Sequence, residues 1–169
     1  PIFESSRNGL SKSIESYILH NLKEFNEIPQ RKPGDKEIIN RREREKYKGA
    51  FGFEPTPGFY KNIGMFDFTS YWPSIIVSFN LSLSTFLEKK EKNSLEVNVE
   101  NKKLYFSKKP GFFSIILNKI INERKKFKEE YKKNPSPIKK ARSNAFKLLA
   151  NASYGYQGFY GARYYSWEA

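Results

Sequence analysis

An α+β fold is what this sequence of 169 residues predicts, and three stretches predict it. Met65 to Ile76 reads as a buried strand, a sharp turn and a helix start. Leu95, Val97 and Val99 alternate, and Leu104 and Phe106 come after Asn101, which is the pattern of a β-hairpin. From Phe112 the period becomes helical. Phe113, Ile116, Leu117, Ile120, Phe127 and Tyr131 trace one apolar stripe, and a breaker at Asn134-Pro135 and Pro137 separates it from a second helix ending near Ala152. So short a connection makes the two helices antiparallel neighbours.

Taken in order, the chain opens with a helical lead-in. Ile14, Tyr17, Ile18, Leu22 and Phe25 recur at helical spacing, Ser11 or Ser13 can cap the helix, and Pro29 and Pro33-Gly34 end it. Arg41, Arg42, Arg44, Lys46 and Lys48, interrupted by Glu43 and Glu45, read as a solvated helix face. Gly49 allows a turn or close backbone approach. Phe51 and Phe53 alternate as on a strand before a turn at Pro55, Pro57 and Gly58. The first of the three diagnostic stretches comes next. Its Pro73 suits the first turn of a helix, where a missing N–H is no loss. Ser74 to Phe79 then continue as a mostly buried helix.

Composition narrows the function classes. Lys and Arg number 31 against 18 Asp and Glu, a net charge of +13, and aromatic residues make up 17% of the chain. A basic, aromatic-rich surface suits phosphate neutralisation and base stacking, so nucleic acid is the first candidate partner. A basic domain that simply stays soluble accounts for the charge as well. There is no Cys, which excludes disulfides and thiolate metal sites and fits an intracellular protein. The single His, His20, falls off the apolar face of its helix and makes a poor case for a His-based triad or zinc site. No apolar run is long enough to span a bilayer, and no signal peptide is visible. The chain begins with Pro1 rather than Met, as an excised piece or a processed product does.

Two groups of residues carry the chemistry. Asp67 stands between Phe66 and Phe68, whereas Asp35, the other Asp of the chain, lies in a turn-like Pro-Gly-Asp. A carboxylate in an apolar run is costly to desolvate unless a cation or donor meets it. With a turn of free backbone N–H groups just beyond, the stretch suits a metal ion carrying a phosphate chain; an acid that merely caps the helix is the plainer reading. The second group lies on the two long helices. Arg124 and Lys128 are one turn apart, and Lys140, Asn144, Lys147, Asn151 and Tyr154 step along one stripe. That stripe is no core face: it is a solvated surface or a polyanion contact.

These residues also carry a resemblance. Asp67-Phe68-Thr69-Ser70-Tyr71-Trp72-Pro73-Ser74-Ile75 resembles the D-F-x-S-L-Y-P-S-I signature of family B DNA polymerases, with Tyr71 in place of Leu and Trp72 in place of Tyr. Lys147 to Gly155 resembles the K-x-x-x-N-S-x-Y-G fingers motif, with Ala152 for Ser. Asn122-Glu123-Arg124-Lys125 is similar to the E-R-x-K element of the first fingers helix. Tyr47-Lys48-Gly49-Ala50 is similar to the Y-x-G-G element, with Ala50 for the second Gly. Asn26-Glu27 through Arg41-Arg42 resembles the preceding segment of archaeal-type members, and the tail from Tyr156, with Gly158 and Arg163, resembles the family's return from fingers to palm.

The resemblance implies a partial polymerase palm with an antiparallel two-helix fingers hairpin. Its divisions are a lead-in from an upstream domain over 1–36, the first part of the palm over 37–111, fingers over 112–157 and the start of the return to the palm over 158–169. It implies a DNA-directed DNA polymerase that adds deoxynucleotides to a primer 3′ end, with two Mg²⁺ ions. Asp67 is then the catalytic, metal-bridging carboxylate and the Phe68 carbonyl a further metal ligand. Backbone N–H groups at Ser70, Tyr71 and Trp72 hold phosphates, and Arg124, Lys128 and Lys147 clamp the triphosphate. Asn151 positions the nucleotide, Tyr154 packs beneath the nascent base pair, and Trp72 blocks a 2′-hydroxyl by its bulk. Tyr47, Gly49, Gly155 and Arg163 face DNA. The family's Asp-Thr-Asp motif, its thumb and its exonuclease carboxylates are absent from this sequence. Primer–template DNA, deoxynucleoside triphosphates and the remaining polymerase parts, on another chain or in missing sequence, are therefore the implied partners. The short hairpin favours DNA-primed over protein-primed synthesis. The alternative reading is a non-catalytic nucleic-acid-binding module derived from a polymerase core.

Overall fold

The structure, a computed structural model, describes residues 9–44, 51–99 and 101–169. Helix α1, Leu10–Asn21, runs into a 3₁₀ turn, Leu22–Phe25, and stops at Asn26, whose positive φ of 50° breaks the helical path. The N-cap is Gly9, with no side-chain cap, so neither Ser11 nor Ser13 caps the helix as expected; both lie inside it. Helix α2, Asp35–Glu43, has Asp35 and Glu37 in its first turn and Arg41 and Arg42 in its last, the order that complements a helix dipole.

Helix α3, Tyr71–Ser78, leads to a small antiparallel sheet of β1 (Phe86–Leu87), β2 (Ser94–Val99) and β3 (Lys102–Ser107), in the order β1-β3-β2. Leu95 pairs with Phe106 and Val97 with Leu104, so the alternation read from the sequence is the hairpin register. Asn80 ties the end of α3 to the segment leaving β3. Its amide donates to the Ser107 and Lys109 carbonyls at 2.7 Å each, and its side-chain oxygen accepts from the Gly111 N–H at 3.0 Å. Gly111 has no room for a side chain, since a Cβ there would lie 2.4 Å from the Thr85 methyl. This junction fixes where the next helix starts.

Helices α4, Phe112–Lys133, and α5, Pro137–Gln157, form the expected antiparallel hairpin. Ser136 caps α5, its hydroxyl accepting the Lys139 N–H at 3.3 Å, and Pro137 occupies the first helical position. Phe113, Ile116, Leu117 and Ile120 are buried, while Phe127 and Tyr131, towards the tip, are half-buried. The buried side chains join Ile14 and Ile18 of α1, Ile76 of α3 and Ala150 and Tyr156 of α5 in one core. Lys119 on α4 ties the lead-in to this core, donating to Asn21 and Glu24.

Of Ser74 to Phe79, expected as a mostly buried helix, only Ile76 is buried, and Phe79 lies exposed beyond the helix end at Ser78, where the chain turns towards the sheet. Two further stretches differ from the sequence reading. Phe51 to Thr69 contains neither the strand expected at Phe51–Phe53 nor the buried strand expected at Met65–Phe68. Phe66 is 96% exposed and Met65 94%. A strand forms by pairing, and each pairing among the described strands is between β3 and β1 or β2, so this run joins no ladder among the described residues. Arg41 is the second difference. It is no solvated cation: its guanidinium donates to the Tyr160 and Ala162 carbonyls at 2.8 and 2.9 Å, pairs with Glu37 and lies 4.7 Å over the Tyr165 ring. That contact clamps the segment 158–169, which has no helix or strand yet buries Ala162, Tyr164 and Tyr165 in the core.

Candidate functional site

The turn between Asp67 and α3 is where distant parts of the chain meet. Ser70 precedes the helix in a left-handed conformation, φ 54° and ψ 46°. A residue with a Cβ there costs on the order of 1–2 kcal/mol, so the turn is held by its neighbours. One of them is Arg124 of α4, which donates to the Ser70 hydroxyl at 2.5 Å. Beyond Ser70 the N–H groups of Tyr71 and Trp72 lie in the first helical turn and have no intrahelical acceptor. Pro73 has no N–H to offer, and Ser74 donates back to the Ser70 carbonyl at 2.9 Å.

Four aromatic rings line this turn in series. Phe68 lies 5.2 Å from Tyr71, and Tyr71 lies 5.1 Å from Trp72 at a steep angle. Trp72 then stacks on Tyr154 of α5 at 4.4 Å and 14°. Such offset ring pairs contribute about 0.5–1.5 kcal/mol beyond area burial. The Trp72–Tyr154 stack borders a cavity of about 290 Å³ that Leu104 and Trp167 also line. Both long helices thus make contact at the same turn, α4 through Arg124 and α5 through Tyr154.

The other expected residues fall around these contacts. Lys128, Lys147 and Asn151 are on the two helices with Lys128 and Asn151 exposed, and Lys140, Asn144, Lys147, Asn151 and Tyr154 do share one solvent-facing stripe. Gly155 is exposed, and a Cβ added there would meet nothing within 4 Å. No contact among the described residues therefore demands glycine at that position. Arg163, expected at DNA, uses two donors within the chain, to Glu15 at 2.7 Å and to the Gln30 carbonyl at 2.8 Å. Tyr47 and Gly49 lie outside the described residues.

Asp67 is exposed beside the turn. Among the described residues no three His, Cys, Asp or Glu side chains gather into a metal-binding group. One carboxylate and a carbonyl do not make a site for two divalent ions, which need several oxygen ligands each. The donor set among the described residues is half a site at most. Burial is felt instead by the core tyrosines. It pushes the Tyr156 hydroxyl up to about 12, with the Glu15 charge adding to the effect, and no hydrogen bond of good geometry reaches that hydroxyl from the described residues. Nothing local in the sequence marks the Trp72–Tyr154 stack or the Arg124–Ser70 bond, because each joins elements far apart in the chain.

The described residues thus present a helical hairpin closed on an acid-bearing turn and carrying a row of cations. The comparisons with known proteins agree on the class. The family model for DNA polymerase family B matches residues 4–169, so the chain belongs to that family. It is 35% identical to a DNA polymerase of Pyrococcus glycovorans over 99% of this chain and 22% of that protein. It is 34% identical to a DNA polymerase of Thermococcus gorgonarius, again over 99% of this chain and 22% of the relative. The structure of the family B DNA polymerase from the hyperthermophilic archaeon Pyrobaculum calidifontis superposes with a TM-score of 0.71 at 33% identity, over 95% of this chain and 21% of that one. The chain spans about a fifth of the length of these relatives.

Proposed function

We propose that this chain is the palm-and-fingers part of a DNA-directed DNA polymerase, with α4 and α5 as the fingers hairpin and the turn after Asp67 as the palm side of the nucleotide site. The observation that carries the reading is the double contact of the hairpin with that turn, Arg124 on Ser70 and Tyr154 on Trp72. A triphosphate bound between Arg124, Lys128, Lys147 and the N–H groups of Tyr71 and Trp72 would meet cations on one side and backbone donors on the other. Guanidinium forks and ammonium groups suit phosphate oxygens, and the chain's positive charge suits a DNA partner. Asn151 and Tyr154, next along the α5 stripe, would set the nucleotide's base and sugar. Trp72, held by the stack, would stand against a 2′-hydroxyl. Gly155, with open space at its Cα, would let a DNA strand approach the backbone closely.

Family B polymerases use divalent ions, which stabilise the attacking and leaving oxygens of nucleotidyl transfer. Asp67 and the Phe68 carbonyl would contribute ligands, and the second carboxylate would come from the polypeptide that completes the palm. The reading therefore makes this chain inactive alone. Primer–template DNA, deoxynucleoside triphosphates and the rest of the polymerase are its partners, and it works with DNA inside the cell. Among the described residues no helix is long and apolar enough to cross a membrane.

The test is Mg²⁺-dependent primer extension by the complete natural polymerase, with and without Asp67→Asn, and by the isolated chain. Extension lost with the substitution and absent from the chain alone supports the reading. Extension that survives Asp67→Asn rejects it in favour of a DNA-binding module without a catalytic centre of its own. Extension by the isolated chain overturns the half-site argument.

A further inference from the structure

The cations on the helical hairpin do not stop where a bound triphosphate would. Between Glu123 and Lys147 the sequence has ten Lys and Arg, of which the proposed clamp uses Arg124, Lys128 and Lys147, against three Glu. Arg124, Lys128 and Lys132 succeed one another at four-residue steps on α4, so they climb one side of the helix towards its tip. On α5, Lys147 and Lys140 lie on the stripe already described. The register between the helices is given by Phe127, which stacks on Phe146 at 5.6 Å and lies under the Arg142 guanidinium at 5.5 Å. Carrying that register outward sets Arg124 within about one helical turn of Lys147 and Lys132 within about one turn of Lys140. Arg124 and Tyr154 both reach the turn before α3, so the two rows belong to the same side of the hairpin.

We propose that Lys132 and Lys140 form an outer anion step, a second phosphate-binding position on which a polyphosphate chain is held on its way to or from the inner cluster of Arg124, Lys128 and Lys147. The inference rests on the proposed polymerase reading. Eight residues of helix separate Arg124 from Lys132, or about 12 Å along the axis. That exceeds the screening length of about 8 Å at physiological salt, so the inner cations alone are hidden from an anion approaching along the tip. A second pair of lysines carries the attraction outward past that limit. Lys140 has no ion pair among the described residues. Lys132 pairs with Glu129 at 2.9 Å, but both side chains are more than half exposed, and such a pair yields readily to a multivalent anion. Lysines suit a transient step, since an ammonium binds as a point charge without a fixed fork geometry.

Two polyphosphates could use this step, the incoming deoxynucleoside triphosphate and the departing pyrophosphate. The experiment uses the complete natural polymerase with Lys132→Gln and Lys140→Gln combined, and with Lys147→Gln alone. Forward extension is measured against deoxynucleoside triphosphate, and the reverse reaction against pyrophosphate, at several salt concentrations. The expected result is a rise of about threefold to tenfold in KM with kcat unchanged, and a flatter dependence of kcat/KM on salt. A change confined to the forward reaction assigns the step to the nucleotide, and one confined to the reverse reaction assigns it to pyrophosphate. Unchanged KM and salt dependence in both directions, with Lys147→Gln impaired, overturns the outer step and leaves the polymerase reading standing. If Lys147→Gln is also without effect, the inner cluster and the reading built on it fall together.

Discussion

Residues 51–69 and 158–169 are alike in sequence and opposite in structure. Both are rich in aromatic residues and neither contains a helix or strand. In the first, Phe59 is fully exposed and Phe66 nearly so; in the second, Ala162, Tyr164 and Tyr165 are buried. The difference lies in what each stretch finds to pack against. Residues 158–169 join the core formed with α1, α4 and α5. They are clamped by Arg41 and Arg44 and by the bond of Arg163 to Glu15. Residues 51–69, which carry the acid on which the proposed chemistry depends, place no side chain in that core. The helical hairpin with residues 158–169 is thus packed into the core, and the stretch leading to Asp67 stays outside it among the described residues.

The largest expected effect breaks the comparison if it fails. Ile120→Ala, in the core, is expected to destabilise the chain by about 2–5 kcal/mol in thermal or denaturant unfolding. Phe66→Ala is expected to cost less than about 0.5 kcal/mol in the isolated chain, because the ring is already exposed. Equal costs would mean that residues 51–69 are packed after all.

A smaller effect is expected at the clamp. Arg41→Ala removes two hydrogen bonds to backbone carbonyls and the contact with Tyr165, and about 2 kcal/mol of stability is expected to go with them. Limited proteolysis would report it as early cleavage within 158–169. Unchanged cleavage would show that burial alone holds the segment.

The smallest effect concerns Tyr156. Burial favours its neutral form, so the folded chain keeps the phenol proton up to about 12, while the unfolded chain loses it near its ordinary value of about 10. Stability from this group is therefore full below about pH 10 and is lost as the pH rises from there through about 12. Tyr156→Phe also removes a buried hydroxyl without a well-formed hydrogen bond. It is expected to leave neutral-pH stability equal or up to about 1 kcal/mol higher, and to soften the alkaline decline seen in unfolding curves between about pH 10 and 12. A steeper decline in the variant would contradict the burial argument.

What was legible in the sequence was what repeats locally. The apolar period of α4, the alternation of β2 and β3, the breaker between the long helices and the Lys-Asn stripe on α5 each recur within a few residues, and each is where the period put it. What depended on a distant partner was not legible. Arg41 stood in a run of charges and read as solvated, because nothing beside it in sequence announced the carbonyls of Tyr160 and Ala162. Met65 to Phe68 read as a buried strand because its composition is that of one. Composition expresses that a segment could pair, and not whether it does: among the described residues this run pairs with no strand. The same limit applies at the site: Asp67 could be picked out as an unusual acid, but the stack of Trp72 on Tyr154 could not.

On the proposed reading, the rest of the polymerase completes the acid-bearing stretch. Hydrogen exchange at the backbone amides of residues 51–69 measures it most directly, in the isolated chain and in the complete polymerase. The account predicts fast exchange throughout this stretch in the isolated chain, beside a protected α4 and α5, and strong protection of Ile63 to Phe68 once the complete protein is present. Protection already present in the isolated chain, or exchange that stays fast in the complete polymerase, would contradict it.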